Sequence, residues 1–313
     1  MSLTRGRSGT RFIFYNIIFA FLVFLTGPVP RASAVTENGI ICTVYPVYLI
    51  AKGLASGTEL RVSLLLPATL GCPHHYSLTP TDMAGLEQAK LILANGLGFE
   101  PFLDRLAESG FAGRIRQIAP ASCAVSPGDG NQPNPHVFTT PAGLSAMIDA
   151  AADALDDVVS SESAVLLRKN AVDLRSRLDD VEKDWAGAAE KLEGTPVVVA
   201  HESLDYISSA MKLTIVARLE IDDEHQHSAH SRLGIEQAIR DRHPVVFLTD
   251  AFDPSEEITA LAREHGIPVI SLPTLTAGSG DDSANTLELA MRSIPASLVP
   301  FAAGATSTTA PLR

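Results

Sequence analysis

Eight apolar residues recur along one stretch of this chain at steps of four and three: Leu167, Ala171, Leu174, Leu178, Val181, Trp185, Ala188 and Leu192. Only an α-helix sets such a series on one face, with the intervening charges on the other. Gly194 closes the pattern. The spacing predicts a helix of roughly 30 residues, about 45 Å long. That is long enough to run the height of a two-lobed protein as the strut between its lobes.

On both sides of the strut, strand-like runs alternate with helix-like runs. Gly39–Val44, Leu60–Leu66 and Lys90–Ala94 precede it; Pro196–Ala200, Leu213–Arg218, Pro244–Thr249 and Pro268–Leu272 follow it. Strands separated by helices predict parallel sheets covered on both faces. Thr79-Pro80-Thr81-Asp82 and Thr140-Pro141 read as helix starts with a capping hydroxyl before Pro, and Asp253-Pro254-Ser255-Glu256 as one with a capping carboxylate. The expected fold is α/β: two doubly wound lobes joined by one long rigid helix. The expected divisions are a signal peptide (1–34), an N-terminal lobe (35–160), the linking helix (161–194), a C-terminal lobe (195–301) and a flexible tail (302–313).

The signal peptide rests on a basic start at Arg5, Arg7 and Arg11, the mostly apolar run Phe12–Leu25, and the small residues Ala32-Ser33-Ala34 before the expected cut. The apolar run is shorter than the roughly 18–20 residues of a membrane anchor. The expected product is exported to the periplasm, with no cysteine placed for a lipid anchor. With 46% hydrophobic and 19% charged residues, disorder is excluded. The 36 acidic against 24 basic side chains repel phosphate backbones, so no nucleic-acid partner is expected, and they attract cations. Three cysteines, Cys42, Cys72 and Cys123, allow one disulfide and one free thiol without fixing the pairing.

Nine histidines are present, and three share a context. His74 follows the strand ending near Leu66, His136 lies on the loop before the Thr140 helix, and His201 follows the strand run Pro196–Ala200. In doubly wound sheets ligands bind at the carboxyl ends of the strands, where such loops converge. Three neutral imidazoles suit a borderline divalent cation, zinc above all. Imidazole ligates only when neutral, so binding is expected to weaken as pH falls through the mid-6 region and below. Asp250 ends another strand at the same rim. The acidic stretch holding His225, His227 and His230 reads either as a metal-collecting loop or as a solvated loop leading into a helix.

The motifs Cys72-Pro73-His74-His75-Tyr76-Ser77-Leu78-Thr79-Pro80, Ala89–Glu100, Asn134-Pro135-His136-Val137-Phe138 and His201-Glu202-Ser203-Leu204-Asp205-Tyr206 together resemble those of the zinc/manganese solute-binding proteins of bacterial ABC importers. The resemblance spans the chain beyond residue 34. It implies a metal site in the inter-lobe cleft with His74, His136 and His201 as ligands, zinc (alternatively manganese) as transported ion, no enzymatic activity, a membrane permease as partner, and a monomer. Two motif positions depart from the family. The turn that usually supplies an Asp ligand reads Leu272-Pro273-Thr274-Leu275, so the fourth ligand is Asp250 or a water, with Asp281 and Asp282 as outside candidates. Cys72 replaces the usual Asp before Pro-His; it reads as a disulfide partner or buried thiol, or as a thiolate ligand. The rival functions are an exported zinc-dependent hydrolase with Glu202 as its base, and a metal-binding adhesin.

Overall fold

The computed structural model describes residues 39–74, 76–124, 133–219, 229–252, 254–280 and 285–302. The expected signal peptide, the tail beyond residue 302, His75, the 222–228 stretch with His225 and His227, Asp253, Asp281 and Asp282 lie outside them. Among the described residues no helix is long and apolar enough to cross a membrane.

The N-terminal lobe is built on β1 (Gly39–Cys42), β2 (Arg61–Leu64), β3 (Leu91–Ala94) and β4 (Ile115–Gln117), all parallel, in the spatial order β2-β1-β3-β4. Its helices are α1 (Tyr45–Leu54), α2 (Pro80–Gln88), α3 (Leu103–Leu106) and α4 (Pro141–Asp156). After the long α5 (Ser161–Leu192), the C-terminal lobe repeats the plan with β5 (Pro196–Val199), β6 (Thr214–Arg218), β7 (Val246–Asp250) and β8 (Val269–Leu272), parallel in the order β6-β5-β7-β8. Helices α6 (Asp205–Ala210), α7 (Ala229–Arg242), α8 (Glu256–His265) and α9 (Thr286–Leu298) complete it. The two-lobed α/β architecture is the one expected.

β1, β3 and β7 are buried along their whole length, as both-face-covered parallel strands must be. All eight stripe residues of α5 are buried. Its 32 residues span about 48 Å, packing on α1 and α4 at one end and on α6 and α9 at the other. Trp185 adds a directional tie, its indole N–H donating to the carbonyl of Met291 at 2.8 Å.

Two local expectations are corrected. β4 was not foreseen: it is a three-residue edge strand carrying exposed Arg116 and Gln117, so it shows no apolar run. The cap of α8 is Ser255, whose hydroxyl accepts from the Ile258 amide at 3.2 Å, rather than Asp253. The helix therefore starts at Glu256, two residues beyond Pro254. At α2 the expected Thr79 cap is a full capping box, the Asp82 carboxylate accepting in return from the Thr79 amide at 2.8 Å.

In each sheet the chain reverses direction of travel between two neighbouring parallel strands, β1 and β3 in one lobe, β5 and β7 in the other. Such switch points open a crevice at the carboxyl edge. Thr43 and Asn95 stand at the first opening, His201 and Asp250 at the second.

Candidate metal centre

Three loops from the carboxyl edges bring the candidate side chains together. The Sγ of Cys72, a ring nitrogen of His74 and a ring nitrogen of His136 lie within 4.8 Å of one another. The Nε2 of His201 is 3.9 Å from the same sulfur, and its ring centroid is 5.1 Å from that of His136. Residues far apart in the chain thus meet at one point, with Cys72 at its middle.

His136 is the best-fixed member. Its loop is anchored from below by a buried polar chain. Glu100 accepts from the Thr43 hydroxyl at 2.5 Å and from the amides of Asn95 (2.7 Å) and Gly96 (3.0 Å), tying the ends of β1 and β3 together. The Asn95 side chain then donates to the Pro135 carbonyl at 3.0 Å. From the other side, α4 approaches so closely that a Cβ on Gly143 would overlap the Val137 carbonyl oxygen. Phe99 and Phe138 wall the imidazole at centroid distances of 5.0 and 5.8 Å, and Phe99 also meets His74 at 5.6 Å.

Asn134 sets the tautomer of His136. Its Oδ1 accepts from the His136 amide at 3.0 Å and from Nδ1 at 2.9 Å. A backbone amide only donates, so Oδ1 is the acceptor and Nδ1 carries the proton. The lone pair is left on Nε2, which points at the Cys72 sulfur 3.4 Å away. The Asn134 amide nitrogen meanwhile donates to the Glu202 carbonyl at 2.9 Å, and the Asn134 carbonyl accepts from the Tyr206 hydroxyl at 2.7 Å. One buried side chain therefore orients His136 and fastens its loop to the loop that carries His201. This explains the aromatic residue five positions after His201, for which sequence spacing alone supplied no purpose.

His201 is held differently. Its Nδ1 accepts from the Ser203 amide at 3.0 Å. In the neutral ring the proton is then on Nε2, the nitrogen facing the cleft. Ligation through Nε2 requires that amide contact to be exchanged, so His201 is the member that must adjust.

Electrostatics keep these rings unprotonated. Burial, and then the neighbouring His201 and His74, hold His136 well below the ordinary histidine range. Burial and the nearby His74 lower His201 to about 4, against an opposing pull from Asp250. For both rings the shift favours the neutral form that ligation requires.

Asp250 stands at the end of β7 but is not among the groups drawn together. Its Oδ1 accepts from the Phe252 amide at 2.8 Å, and its Oδ2 from the hydroxyls of Thr274 and, at 2.6 Å, Thr276. Those threonines belong to the turn in which Pro273 replaces the usual Asp. Glu202, whose pKa is raised chiefly by burial, lies 3.6 Å from His136 Nδ1, behind the ring rather than on its Nε2 side. Asn134, Phe99, Glu100 and the Thr274/Thr276 pair were not picked out as site residues by the sequence reading. Cys72 was weighed there as a thiolate ligand beside the disulfide and buried-thiol readings, because it departs from its motif.

The chain matches the family model described as zinc-uptake complex component A, periplasmic, over residues 40–299. A protein of Thermotoga maritima described as metal-binding is 30% identical over 226 residues, 72% of this chain and 79% of the relative. The high-affinity zinc uptake system protein ZnuA of Bacillus subtilis is 22% identical over 261 residues, 78% of this chain and 80% of the relative. Among solved structures, the solute-binding protein FpvC of Pseudomonas aeruginosa in complex with Ni2+ superposes with a TM-score of 0.73 at 21% identity, covering 84% of this chain and 96% of the other.

Proposed function

The chain belongs to the family of periplasmic zinc-uptake complex component A proteins, and from that premise we propose that its cargo is zinc, held by His74, His136 and His201. It is a metal-binding solute-binding protein, the capture component of an importer rather than a member of an enzyme class. In the proposed cycle it works in the periplasm as a monomer and hands the ion to the membrane permease of an ABC importer.

The observation that carries the choice of ion is the donor set. Imidazole nitrogens beside a sulfur suit a borderline-soft cation, whereas manganese prefers oxygen donors. Asp250, the carboxylate at the end of β7, already accepts three hydrogen bonds. In this reading it acts on His201 by its charge, and its remaining lone pair is not required for coordination. The hydrolase alternative needs a base on the open side of the metal. Glu202 stands on the Nδ1 side of His136, which favours cargo binding over water activation.

Equilibrium dialysis of the reduced full chain against zinc tests the reading. The expected result is one tightly held zinc per chain, lost on His201→Ala. Retention of zinc at full stoichiometry by His201→Ala would remove that residue from the site, and no retention by the native chain would overturn the proposal.

A further inference from the structure

We propose that Cys72 is the fourth metal ligand, so that the cargo is held by one thiolate and three imidazoles. The inference deepens the zinc reading and rests on it.

Geometry is the first ground. With zinc–sulfur and zinc–nitrogen bonds of about 2.3 and 2.05 Å, sulfur and nitrogen at two corners of a tetrahedron stand about 3.6 Å apart. The Cys72 sulfur is 3.4 Å from His136 Nε2 and 3.9 Å from His201 Nε2, distances that bracket this edge. A ring nitrogen of His74 closes the group within 4.8 Å. The sulfur does not stand alone. Fully buried His136, its tautomer set by Asn134, aims its lone pair at the same spot.

The second ground is that Cys72 is not spent on a disulfide and that the competing carboxylate is engaged elsewhere. Neither Cys72 nor Cys42 nor Cys123 forms a disulfide. The disulfide weighed from sequence therefore does not occupy Cys72. The competing fourth ligand, Asp250, has its oxygens engaged by Phe252, Thr274 and Thr276. A turn closed by the Tyr76 amide on the Pro73 carbonyl at 2.9 Å follows directly on Cys72 and holds His74, so both donors come from one short segment.

On binding, the sulfur–metal bond forms as the thiol S–H breaks, its proton passing to solvent. A thiolate in place of the family's usual Asp makes the donor set softer and tilts it further from manganese.

Cobalt(II) serves as a spectroscopic probe on the reduced full chain. The native chain should show the visible ligand-field bands of a tetrahedral ion together with a thiolate-to-cobalt charge-transfer band in the near ultraviolet. Cys72→Ser should keep ligand-field bands, lose the charge-transfer band and bind zinc at least about tenfold more weakly. Ligand-field bands without charge transfer in the native chain, or unchanged zinc affinity in Cys72→Ser, would overturn the thiolate and leave the three-histidine site standing. Failure of both chains to bind either metal would overturn the zinc reading itself.

Discussion

Saturating zinc raises the melting temperature of the reduced chain by roughly 10 °C over the chelated protein. The size follows from mass action. An ion that binds only the folded state adds about 4 kcal/mol when its concentration is a thousandfold above the dissociation constant. For a chain of this size each kcal/mol is worth about 2–4 °C. The unfolded chain offers no competing site of comparable quality, because the four donors come from three separate segments: Cys72 with His74, His136, and His201. In the folded protein those segments already converge, and both His136 and His201 are held neutral by burial. Superimposable melting curves with zinc and with chelator would show that no such site forms.

Removal of His136 has the second large effect, and it comes with a graded companion. His136→Ala deletes the ring that is fully buried, fixed in tautomer and 3.4 Å from the sulfur. Zinc affinity should fall by more than the 10–100-fold typical of losing an outer partner of a ligand. Asn134→Ala keeps the ring but removes the acceptor on Nδ1 and the tie to the Glu202 carbonyl, and should fall within that 10–100-fold range. Asp250→Asn should lie nearest the native chain, since its contact with the metal is not required. Competition against a chelator orders the three. An Asp250→Asn loss equal to that of His136→Ala would make Asp250 a direct ligand. Equal affinity of His136→Ala and native chain would remove the site from this cleft.

The parts of this molecule that were legible in the sequence are those governed by local periodicity. The eight-residue stripe of α5 is buried at every position named, because a helix converts spacing into a face without help from elsewhere. Seven strands stood out as β-rich apolar runs between helical stretches, and Thr79 and Thr140 announced their helices through capping chemistry confined to four residues. β4 escaped because three residues with two exposed polar side chains carry no such pattern. Ser255 escaped because Asp253 two residues earlier offered an equally good local cap. The three histidines were singled out through position, His74 and His201 on loops beyond a strand and His136 on the loop before the Thr140 helix.

What surrounds them was not legible, since it depends on distance in space. Cys72 sits 64 residues from His136 and 129 from His201, so its motif departure left a ligand, a disulfide partner and a buried thiol all open. Asn134 stood in the His136 motif with no role assigned to it. Only the fold shows it buried and hydrogen-bonded to His136, Glu202, Asp205 and Tyr206. Asp250 was placed correctly at the end of its strand, yet the threonines that engage its carboxylate lie 24 and 26 residues further on.

Zinc against manganese in direct competition is the measurement that bears most directly on the central claim. The reduced native chain, stripped of metal and offered both ions at equal concentration, is separated from free ions and its metal content determined. A site of imidazole nitrogens, with or without the sulfur, should come away with one zinc per chain and negligible manganese. Manganese at or above the level of zinc would mean that oxygen donors dominate the site, and would contradict the account.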